Sequence, residues 1–137
     1  MDCTALFALR QELKLQIPDL TVLPFFMKAL SLAMVQHPEL NAVVDPEVDG
    51  DGYIQRYVQK TDHNFAVAID SGDGLTTPNL KRVNEMSILG INKSLRELVT
   101  KVKTGNLTRD DFEDGTFSVS SVGNIGGKYF HPVILRP

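Results

Sequence analysis

Cysteine is scarce in this sequence and long apolar runs are missing, and each absence argues against a class of protein. The single cysteine, Cys3, cannot form a disulfide within the chain, which fits a reducing compartment. The longest apolar stretch, residues 20–35, is interrupted by Pro24 and Lys28 and is shorter than the roughly 20 residues that a membrane-spanning helix needs. Residues 1–3 resemble neither a signal peptide nor a transit peptide. We therefore expect no internal disulfide, membrane span or targeting segment in these residues.

Positive charge is scattered along the chain rather than gathered into a block. Lys and Arg number 14 against 17 Asp and Glu, which gives a formal net charge of −3. This balance predicts no bulk attraction to nucleic acid or to an anionic membrane. The 137 residues fit one domain, residues 1–137, and the apolar share of 42% is enough for a hydrophobic core.

Three segments have helical patterns. Residues 3–15 place leucines at helical spacing, and a second helix is expected from Pro24, which suits a first helical turn, to His37. This second helix is apolar on nearly all sides, so we expect it to be buried. Ser87 is expected to cap a third, amphipathic helix over residues 87–102. Its apolar residues, which keep a 3.6-residue period, are Ile88, Ile91, Leu95, Leu98, Val99 and Val102.

Short β-like segments lie between and after these helices. Strands are predicted over residues 42–44, 53–58, 64–69 and 116–122. Residues 71–74 have turn chemistry, and residues 108–112 suggest a brief helical turn. The order α-α-β-β-β-α-β predicts a mixed α/β fold in which the helices pack on one sheet.

Two loops imitate ligand-binding motifs and fail on detail. Residues 45–52 resemble the start of a calcium loop, but the twelfth position holds Arg56 where a bidentate Glu is required, so a hairpin loop is the better account. Residues 123–128 resemble a phosphate loop, but they have two residues rather than four between the glycines, and Tyr129 replaces the Ser or Thr. These glycines instead permit a tight reversal or the close approach of a ligand.

The histidines give no metal pattern. His37, His63 and His131 have a spacing that fits no zinc site, and we predict no metal. His37 ends a helix, His63 begins a strand and His131 precedes a proline. Each is a candidate general base, although structural or exposed histidines are commoner.

Polar side chains at two predicted strand ends have a functional and a structural interpretation. Ser118 and Ser120 share one face of the last strand by alternation, and Ser121 shares the other face with the apolar residues. A hydroxyl on a rigid strand beside a glycine loop suits an oxyanion donor or a ligand contact; the alternative is a half-exposed polar face. No Gly-x-Ser-x-Gly elbow is present, which disfavours a nucleophilic serine. Asp70 is either a turn-forming residue or a ligand contact.

These segments together resemble the catalytic domain of the dihydrolipoamide acyltransferases of 2-oxoacid dehydrogenase complexes. The resemblance covers nearly the whole chain, and details in residues 125–127 and 132–134 are closer to the branched-chain type than to the pyruvate or 2-oxoglutarate types. The segments that carry it are residues 1–10, 23–29, 38–42, 63–70, 74–78 and, most specifically, 115–127 with 132–134.

The resemblance implies a fold, an assembly and a reaction. The fold is a two-layer α/β sandwich similar to chloramphenicol acetyltransferase. Homotrimers build larger cubic or dodecahedral cores, with the active site between subunits. There coenzyme A and a lipoyl arm carried on a separate domain meet, a histidine takes the thiol proton, and the thiolate attacks the acyl thioester. The reaction needs a base near neutral pKa and a donor to the oxyanion.

The family's site residues carry over to five positions. Ser120 matches the catalytic serine that donates to the oxyanion and lies against coenzyme A. Ser121, Arg10 and Asp70 match further contacts to coenzyme A, although many relatives carry Asn at the position of Ser121. Thr21 stands where relatives have a cofactor-touching Ser and keeps the hydroxyl.

The resemblance fails at the end of the chain. The family's His-Arg-x-x-Asp-Gly motif, which holds the base, has no match here, and none of the three histidines aligns with it. We expect a catalytic domain that is incomplete at its C-terminus and inactive, or nearly so, by itself. The alternatives are a non-catalytic, shortened subunit that acts as an interaction or assembly module, and an incomplete gene product with no separate role.

The resemblance also implies partners and a location. The dehydrogenase component and the dihydrolipoamide dehydrogenase component of the complex would be partners. The location would be the mitochondrial matrix in a eukaryote and the cytoplasm in a bacterium. The acyl-chain length is not determined by the sequence, because one methylene in a pocket is worth only about 1–3 kcal/mol.

Overall fold

A computed structural model describes residues 2–72, 74–122, 126, 129 and 131. Three α-helices lie in these residues: α1 (Thr4–Leu13), α2 (Leu23–Gln36) and α3 (Ile88–Thr104). Their positions confirm the three helices predicted from periodicity. None of the helices in the described ranges is both long and apolar enough to cross a membrane.

Helix α3 follows its sequence signals closely. Ser87 caps it by accepting a hydrogen bond from the Gly90 N–H at 3.1 Å, as predicted. Gly105 ends it with a φ of 68°, a left-handed conformation that glycine adopts without steric cost. The helix extends two residues beyond the predicted end at Val102. Its buried residues are Ile91, Asn92, Leu95, Leu98 and Val102.

Helix α2 corrects the expectation of all-round burial. One side packs against α3 and a short 3₁₀ turn, Val83–Glu85, and buries Met27 and Met34. On the other side, Leu32 is 56% exposed and Val35 is 68% exposed. The prediction was wrong because apolar composition does not say how many neighbours a helix has. Among the described residues, the packing partners of α2 lie on one side.

The strands of the described residues form three small sheets, whereas the sequence predicted one. Strands β4 to β6 are two residues each, too short for a pattern of alternation to reveal. The strands are β1 (Ala42–Val44), β2 (Tyr57–Gln59), β3 (Phe65–Val67), β4 (Ile69–Asp70), β5 (Leu75–Thr76), β6 (Asn79–Leu80) and β7 (Phe117–Val119). In the described residues, the central sheet has the order β6-β3-β7, and β1-β2 and β4-β5 form separate antiparallel pairs.

The central sheet holds the core. β3 pairs antiparallel with β6 and parallel with β7, with Phe65 opposite Phe117 and Val67 opposite Val119. Phe65 is fully buried, and Val67 and Leu80 nearly so. These side chains pack with α2 and α3 in one hydrophobic cluster. Phe65 and Val67 are buried while Ala66 is half-buried, which is the alternation expected of a strand with one face on the core.

A hairpin built on β1 and β2 projects from this core. Asp49 Oδ1 accepts the N–H groups of Asp51 and Tyr53 at 3.0 and 2.8 Å, and a single bridge joins Val48 to Ile54. Arg56 pairs with Asp45. This confirms the hairpin interpretation of residues 45–52. It corrects the strand predicted over residues 53–58, because the loop's own hydrogen bonds hold Tyr53, and the regular strand begins only at Tyr57.

The turn predicted over residues 108–112 is a 3₁₀ turn, Arg109–Asp111, that is fixed to α3. Asp111 closes a capping box by accepting the Thr108 N–H at 2.8 Å, and it pairs with Lys101 at 2.7 Å. The Lys101 ammonium, together with the Thr108 bonds, lowers the pKa of Asp111 to about 2. This turn leads the chain from α3 back to the sheet.

Candidate functional site

The first group of predicted site residues lies where α1 meets the loop before α2. The half-buried Arg10 donates from Nε to the backbone oxygen of Leu20 at 3.0 Å, and Leu20 is fully buried. Thr21 follows directly, and its N–H donates to Asn92 Oδ1 at 3.2 Å. Its hydroxyl lies 3.4 Å from the same oxygen. Arg10 is therefore hydrogen-bonded to the residue that precedes Thr21 in the chain.

Two cavities open beside this group along the outer face of α3. The larger has a volume of about 590 Å³, and the smaller, about 350 Å³, is lined by Thr21. Arg96 borders both cavities and pairs with Asp19. The larger cavity is lined by Ile17, Asp19, Leu89, Asn92, Lys93, Arg96, Glu97 and Thr100, and the smaller by Thr21, Leu95, Arg96, Val99, Thr100 and Lys103.

Two cationic side chains border the smaller cavity. The charged residues among its described lining are Arg96 and Lys103, and Arg96 is also paired with Asp19. Guanidinium and ammonium groups beside a threonine hydroxyl suit a phosphate-bearing ligand. The larger cavity has mixed charge, since Lys93 and Arg96 face Asp19 and Glu97 there.

The second group lies at the carboxyl end of the parallel pair β3 and β7. The Ala68 N–H donates to the Val119 oxygen at 3.1 Å, which anchors the last residue of β7. Ser120 and Ser121 come next and are exposed. Asp70 ends β4, which continues from β3. Asp70 and the two serines therefore follow the ends of two strands that pair with each other.

Asp70 has the turn-forming role that was one of its two interpretations. Its Oδ1 accepts the Gly72 N–H at 3.0 Å, and Ser71 donates to the Gly74 oxygen from both its N–H and its hydroxyl, at 2.9 and 2.7 Å. Gly72 has a φ of 84°, which fits the predicted turn. The contact of Asp70 with a ligand stays a prediction.

The serines follow the predicted alternation only within the strand. Phe117 and Val119 pack against the core, while Ser118 and Ser120 are exposed. Ser121 does not share the apolar face, because it lies beyond β7 and is exposed. The strand is also shorter than the predicted 116–122, and the proposed glycine loop, residues 123–127, lies outside the described residues apart from Gly126.

His63 is buried in a structural setting. Its Nδ1 lies 2.8 Å from Ser31 Oγ on α2, and its ring stacks on Phe65 with centroids 6.4 Å apart. Burial lowers the pKa of His63, the nearby Lys28 charge lowers it further, and Asp62 opposes them. The neutral imidazole is therefore the favoured form in the fold.

Among the described residues, no histidine lies beside Ser120. His63 precedes β3, whereas Ser120 lies beside Ala68 at the far end of that strand. Five residues of extended chain separate the two ends by roughly 16 Å. His37 ends α2, as predicted, and lies 3.6 Å from Glu39; His131 is exposed. Within the described ranges, no group of three His, Cys, Asp or Glu side chains has the arrangement of a metal site.

Asn92, Arg96 and Lys103 were not among the predicted site residues. Asn92 had a visible signal, since it is a polar residue on the apolar face of α3, and it is 5% exposed. Arg96 and Lys103 resemble ordinary surface cations in the sequence. The two groups of predicted residues are not joined to each other by any hydrogen bond among the described residues.

The sequence is similar to a known protein family along its whole length. A family model described as 2-oxoacid dehydrogenases acyltransferase (catalytic domain) matches residues 1–137. The lipoamide acyltransferase component of the mitochondrial branched-chain alpha-keto acid dehydrogenase complex of Bos taurus is 40% identical and covers 100% of this chain. The Caenorhabditis elegans counterpart is 39% identical over 86% of the chain. The acetyltransferase component of the Haemophilus influenzae pyruvate dehydrogenase complex is 34% identical over 95%.

Solved structures agree with these matches. A crystal structure of Azotobacter vinelandii dihydrolipoamide acetyltransferase, from a study of a serine, a histidine and an asparagine in its catalytic mechanism, has a TM-score of 0.87 at 31% identity. A structure of the cubic core of the pyruvate dehydrogenase multienzyme complex also gives 0.87 at 31%. Both cover 97% of this chain, which spans 54% of each solved chain. The chain spans 28%, 25% and 22% of the three curated relatives.

Proposed function

The chain belongs to the family of 2-oxoacid dehydrogenase acyltransferase catalytic domains, and on this premise we propose that it contributes to moving an acyl group from dihydrolipoamide to coenzyme A. A branched-chain acyl group is favoured by the 39–40% identity to branched-chain components, against 34% to a pyruvate-type component. The observation that carries the proposal is the position of Ser120, exposed directly after the last anchored residue of β7.

Ser120 is proposed as the donor to the reacting carbonyl oxygen. In the transfer, the thiol sulfur of coenzyme A forms a bond to the carbonyl carbon of the acyl-lipoamide thioester. The carbon–sulfur bond to lipoamide then breaks, and the thiol proton of coenzyme A ends on the released lipoyl sulfur. Negative charge builds on the carbonyl oxygen between these events, and a preorganised hydroxyl stabilises it. A serine that directly follows the anchored end of a strand meets this requirement.

Coenzyme A is proposed to contact both groups of residues. Arg10 bonds to the residue before Thr21, and the smaller cavity beside Thr21 has Arg96 and Lys103 in its lining. These cations suit the phosphates of coenzyme A. Asp70 and Ser121 are proposed as further contacts. The lipoyl group would arrive on a separate domain.

The base is proposed to come from residues other than these 137. The sequence contains no His-x-x-x-Asp-Gly, and His63 lies at the wrong end of β3. We expect the 137-residue chain by itself to transfer no acyl groups at a measurable rate. A polypeptide that carries the motif would restore transfer on mixing. Failure to restore transfer, with the chain still joining the assembly, would favour the non-catalytic interaction module.

The assembly and location follow the relatives. We propose a chloramphenicol acetyltransferase-like two-layer sandwich, of which residues 1–137 are part, and a homotrimer that builds a larger core, since one matched structure is a cubic core. Partners would be the dehydrogenase and dihydrolipoamide dehydrogenase components. The location would be the mitochondrial matrix in a eukaryote and the cytoplasm in a bacterium.

The proposed role of Ser120 is tested by acyl transfer from a branched-chain acyl-dihydrolipoamide to coenzyme A, with the base motif supplied by a second polypeptide. Ser120→Ala should lower kcat by roughly 10²–10³-fold, the effect of removing one oxyanion donor. Ser118→Ala is the matched control, since Ser118 is an exposed serine on the same face of β7. An unchanged kcat for Ser120→Ala, or an equal loss for Ser118→Ala, would contradict the assignment.

A further inference from the structure

Two buried asparagine side chains hold the segment that leads into β7. Asn64, the residue just before β3, donates from Nδ2 to the Asp114 oxygen at 2.8 Å. Asn79, in β6, donates from Nδ2 to the Glu113 oxygen at 2.9 Å. Both residues are 6% exposed. Side chains beside two neighbouring strands thus donate hydrogen bonds to the consecutive carbonyl groups of Glu113 and Asp114, in the segment that leads into β7.

Backbone and hydroxyl bonds complete the attachment at Asn64. The Thr116 and Phe117 N–H groups donate to the Asn64 oxygen at 2.8 and 3.2 Å. The Asn64 N–H donates to Thr116 Oγ1 at 3.0 Å. On its other side, Asn64 Oδ1 accepts the Arg82 N–H at 2.8 Å, just after β6. One residue therefore links all three strands of the central sheet.

The backbone of the segment that leads into β7 has a conformation that fits these asparagine contacts. Asp114 has a φ of 61°, a left-handed conformation that is unusual for a non-glycine residue. Gly115 comes so close to Asn79 that an added Cβ would lie 2.7 Å from Asn79 Oδ1. A side chain larger than hydrogen at position 115 would displace either the backbone of this segment or the side chain of Asn79.

β7 needs these additional contacts because strand pairing alone fixes its register weakly. It has three residues, and among the described residues it lies at the edge of the central sheet, so only one neighbour sets its register. A slip of one residue would reverse which side chains face the core, and a slip of two would move Ser120 by about 6.6 Å. A donor to a developing oxyanion does not tolerate such a displacement.

We propose that Asn64 and Asn79 are positioning residues that set the register of β7 on β3 and thereby place Ser120. They act through the backbone at residues 113–116 and do not touch the reacting atoms. The register of β7 follows from these hydrogen bonds alone. The placement of Ser120 as an oxyanion donor rests also on the proposed function, so register and placement are tested by different measurements.

Register is tested by amide hydrogen exchange on the 137-residue chain. Ala68 donates to Val119 at the far end of β7, so its exchange rate reports whether the strand stays docked. In Asn79→Ala, Ala68 should exchange at least tenfold faster relative to amides of α3. A purely structural role would accelerate both through global unfolding and leave the ratio unchanged. An unchanged ratio would overturn the proposal.

Asn41 supplies the matched control. It is a buried asparagine whose Nδ2 donates to the backbone oxygens of Lys60 and Asp62 at 2.8 and 3.0 Å, away from β7. Asn41→Ala should leave the ratio of Ala68 to α3 exchange within twofold of the wild type. A tenfold change in this control would also overturn the proposal. If Asn79→Ala fails to fold, Gly115→Ala perturbs the same contact from the other side and should raise the same ratio.

Placement of Ser120 is tested by coenzyme A binding, measured calorimetrically. Because Ser120 is also expected to lie against coenzyme A, Asn79→Ala should weaken binding at least tenfold. The same substitution should weaken it less than twofold when added to Ser120→Ala, since Asn79 acts through the position of that serine. Equal weakening in both backgrounds would overturn the link to Ser120. A wild-type chain that binds no coenzyme A would count against the proposed function, and the exchange ratio would still decide the register.

Discussion

The central sheet and the β1–β2 hairpin are built from similar residues and have opposite environments. Phe65 in β3 is fully buried, whereas Tyr57 in β2 is 60% exposed. Both strands are rich in β-branched and aromatic side chains, which favour strands in general. The difference is that α2 and α3 pack on the central sheet, while the hairpin carries its apolar side chains outside the core cluster. Strand propensity therefore predicts the element and not its burial.

The largest expected effect contrasts one aromatic residue from each region. Phe65→Ala should lower the free energy of unfolding by about 3–5 kcal/mol, because the lost ring leaves a cavity between Phe117 and His63. Tyr57→Ala should cost less than about 1 kcal/mol, since its side chain is exposed. Urea denaturation measures both. Equal losses would mean that the hairpin is as tightly packed as the sheet.

A smaller effect concerns the turn between α3 and β7. Asp111→Asn should lower the free energy of unfolding by about 1–2 kcal/mol at neutral pH, because it weakens both the capping box and the Lys101 pair. The folded-state pKa of about 2 lies below the ordinary value of 3.8 for an aspartate, so this stability is present above about pH 4 and is lost as the pH falls toward 2.

Asp110 is the control for this turn. Its carboxylate pairs with Lys81, and its side chain is 80% exposed. Asp110→Asn should therefore change the free energy of unfolding by less than about 0.5 kcal/mol. If thermal and urea unfolding gave Asp110→Asn the larger loss, the turn would not be stabilised through Asp111.

The next effect is a change in how steeply the free energy of unfolding depends on pH, rather than a change in its value at neutral pH. The pKa of His63 is lowered in the fold by burial, so the unfolded chain binds the proton first. Stability should be complete above about pH 6.5 and should decrease as the pH falls below that value. His63→Gln should flatten this part of the curve, and His37→Gln, at an exposed site, should not. A slope that survives His63→Gln would assign the effect elsewhere.

The smallest global effect is expected in the hairpin. Asp49→Ala removes the acceptor for the Asp51 and Tyr53 N–H groups. Because this loop is exposed, the free energy of unfolding should change by less than about 0.5 kcal/mol. Amide exchange at Asp51 and Tyr53 should nevertheless become faster. A large loss of global stability would show that the hairpin folds together with the core.

Local chemistry made much of this fold predictable from the sequence. The Ser87 cap, the period of α3 and the turn after Asp70 each depend on residues within a few positions of one another, and each is confirmed. The acyltransferase family is confirmed by the family match. Site residues carried over by resemblance stay predictions, and the structure adds that Arg10 bonds to the residue before Thr21 and that Asp70 forms the turn after β4.

Distant pairings were beyond reach of the sequence pattern. Asn64 and Asp114 are 50 positions apart, and nothing near either residue indicates the other. The one-sided burial of α2 was missed for a related reason, since Leu32 and Val35 look like core residues until the neighbours are known. Asn92 was the exception, because a polar residue in an apolar helical stripe can be recognised.

The parallel pairing of β3 with β7 has a consequence for synthesis of the chain. Phe65 is synthesised about fifty residues before its partner Phe117. The strand β7, which Ser120 follows, can therefore pair with β3 only after that delay. At roughly 5–20 residues per second, the ribosome takes about 3–10 s to deliver that partner. During this interval β3 can already pair with β6 and pack against α2. The edge that will receive β7 stays open, so the proposed catalytic serine takes its place only after the rest of the sheet has formed.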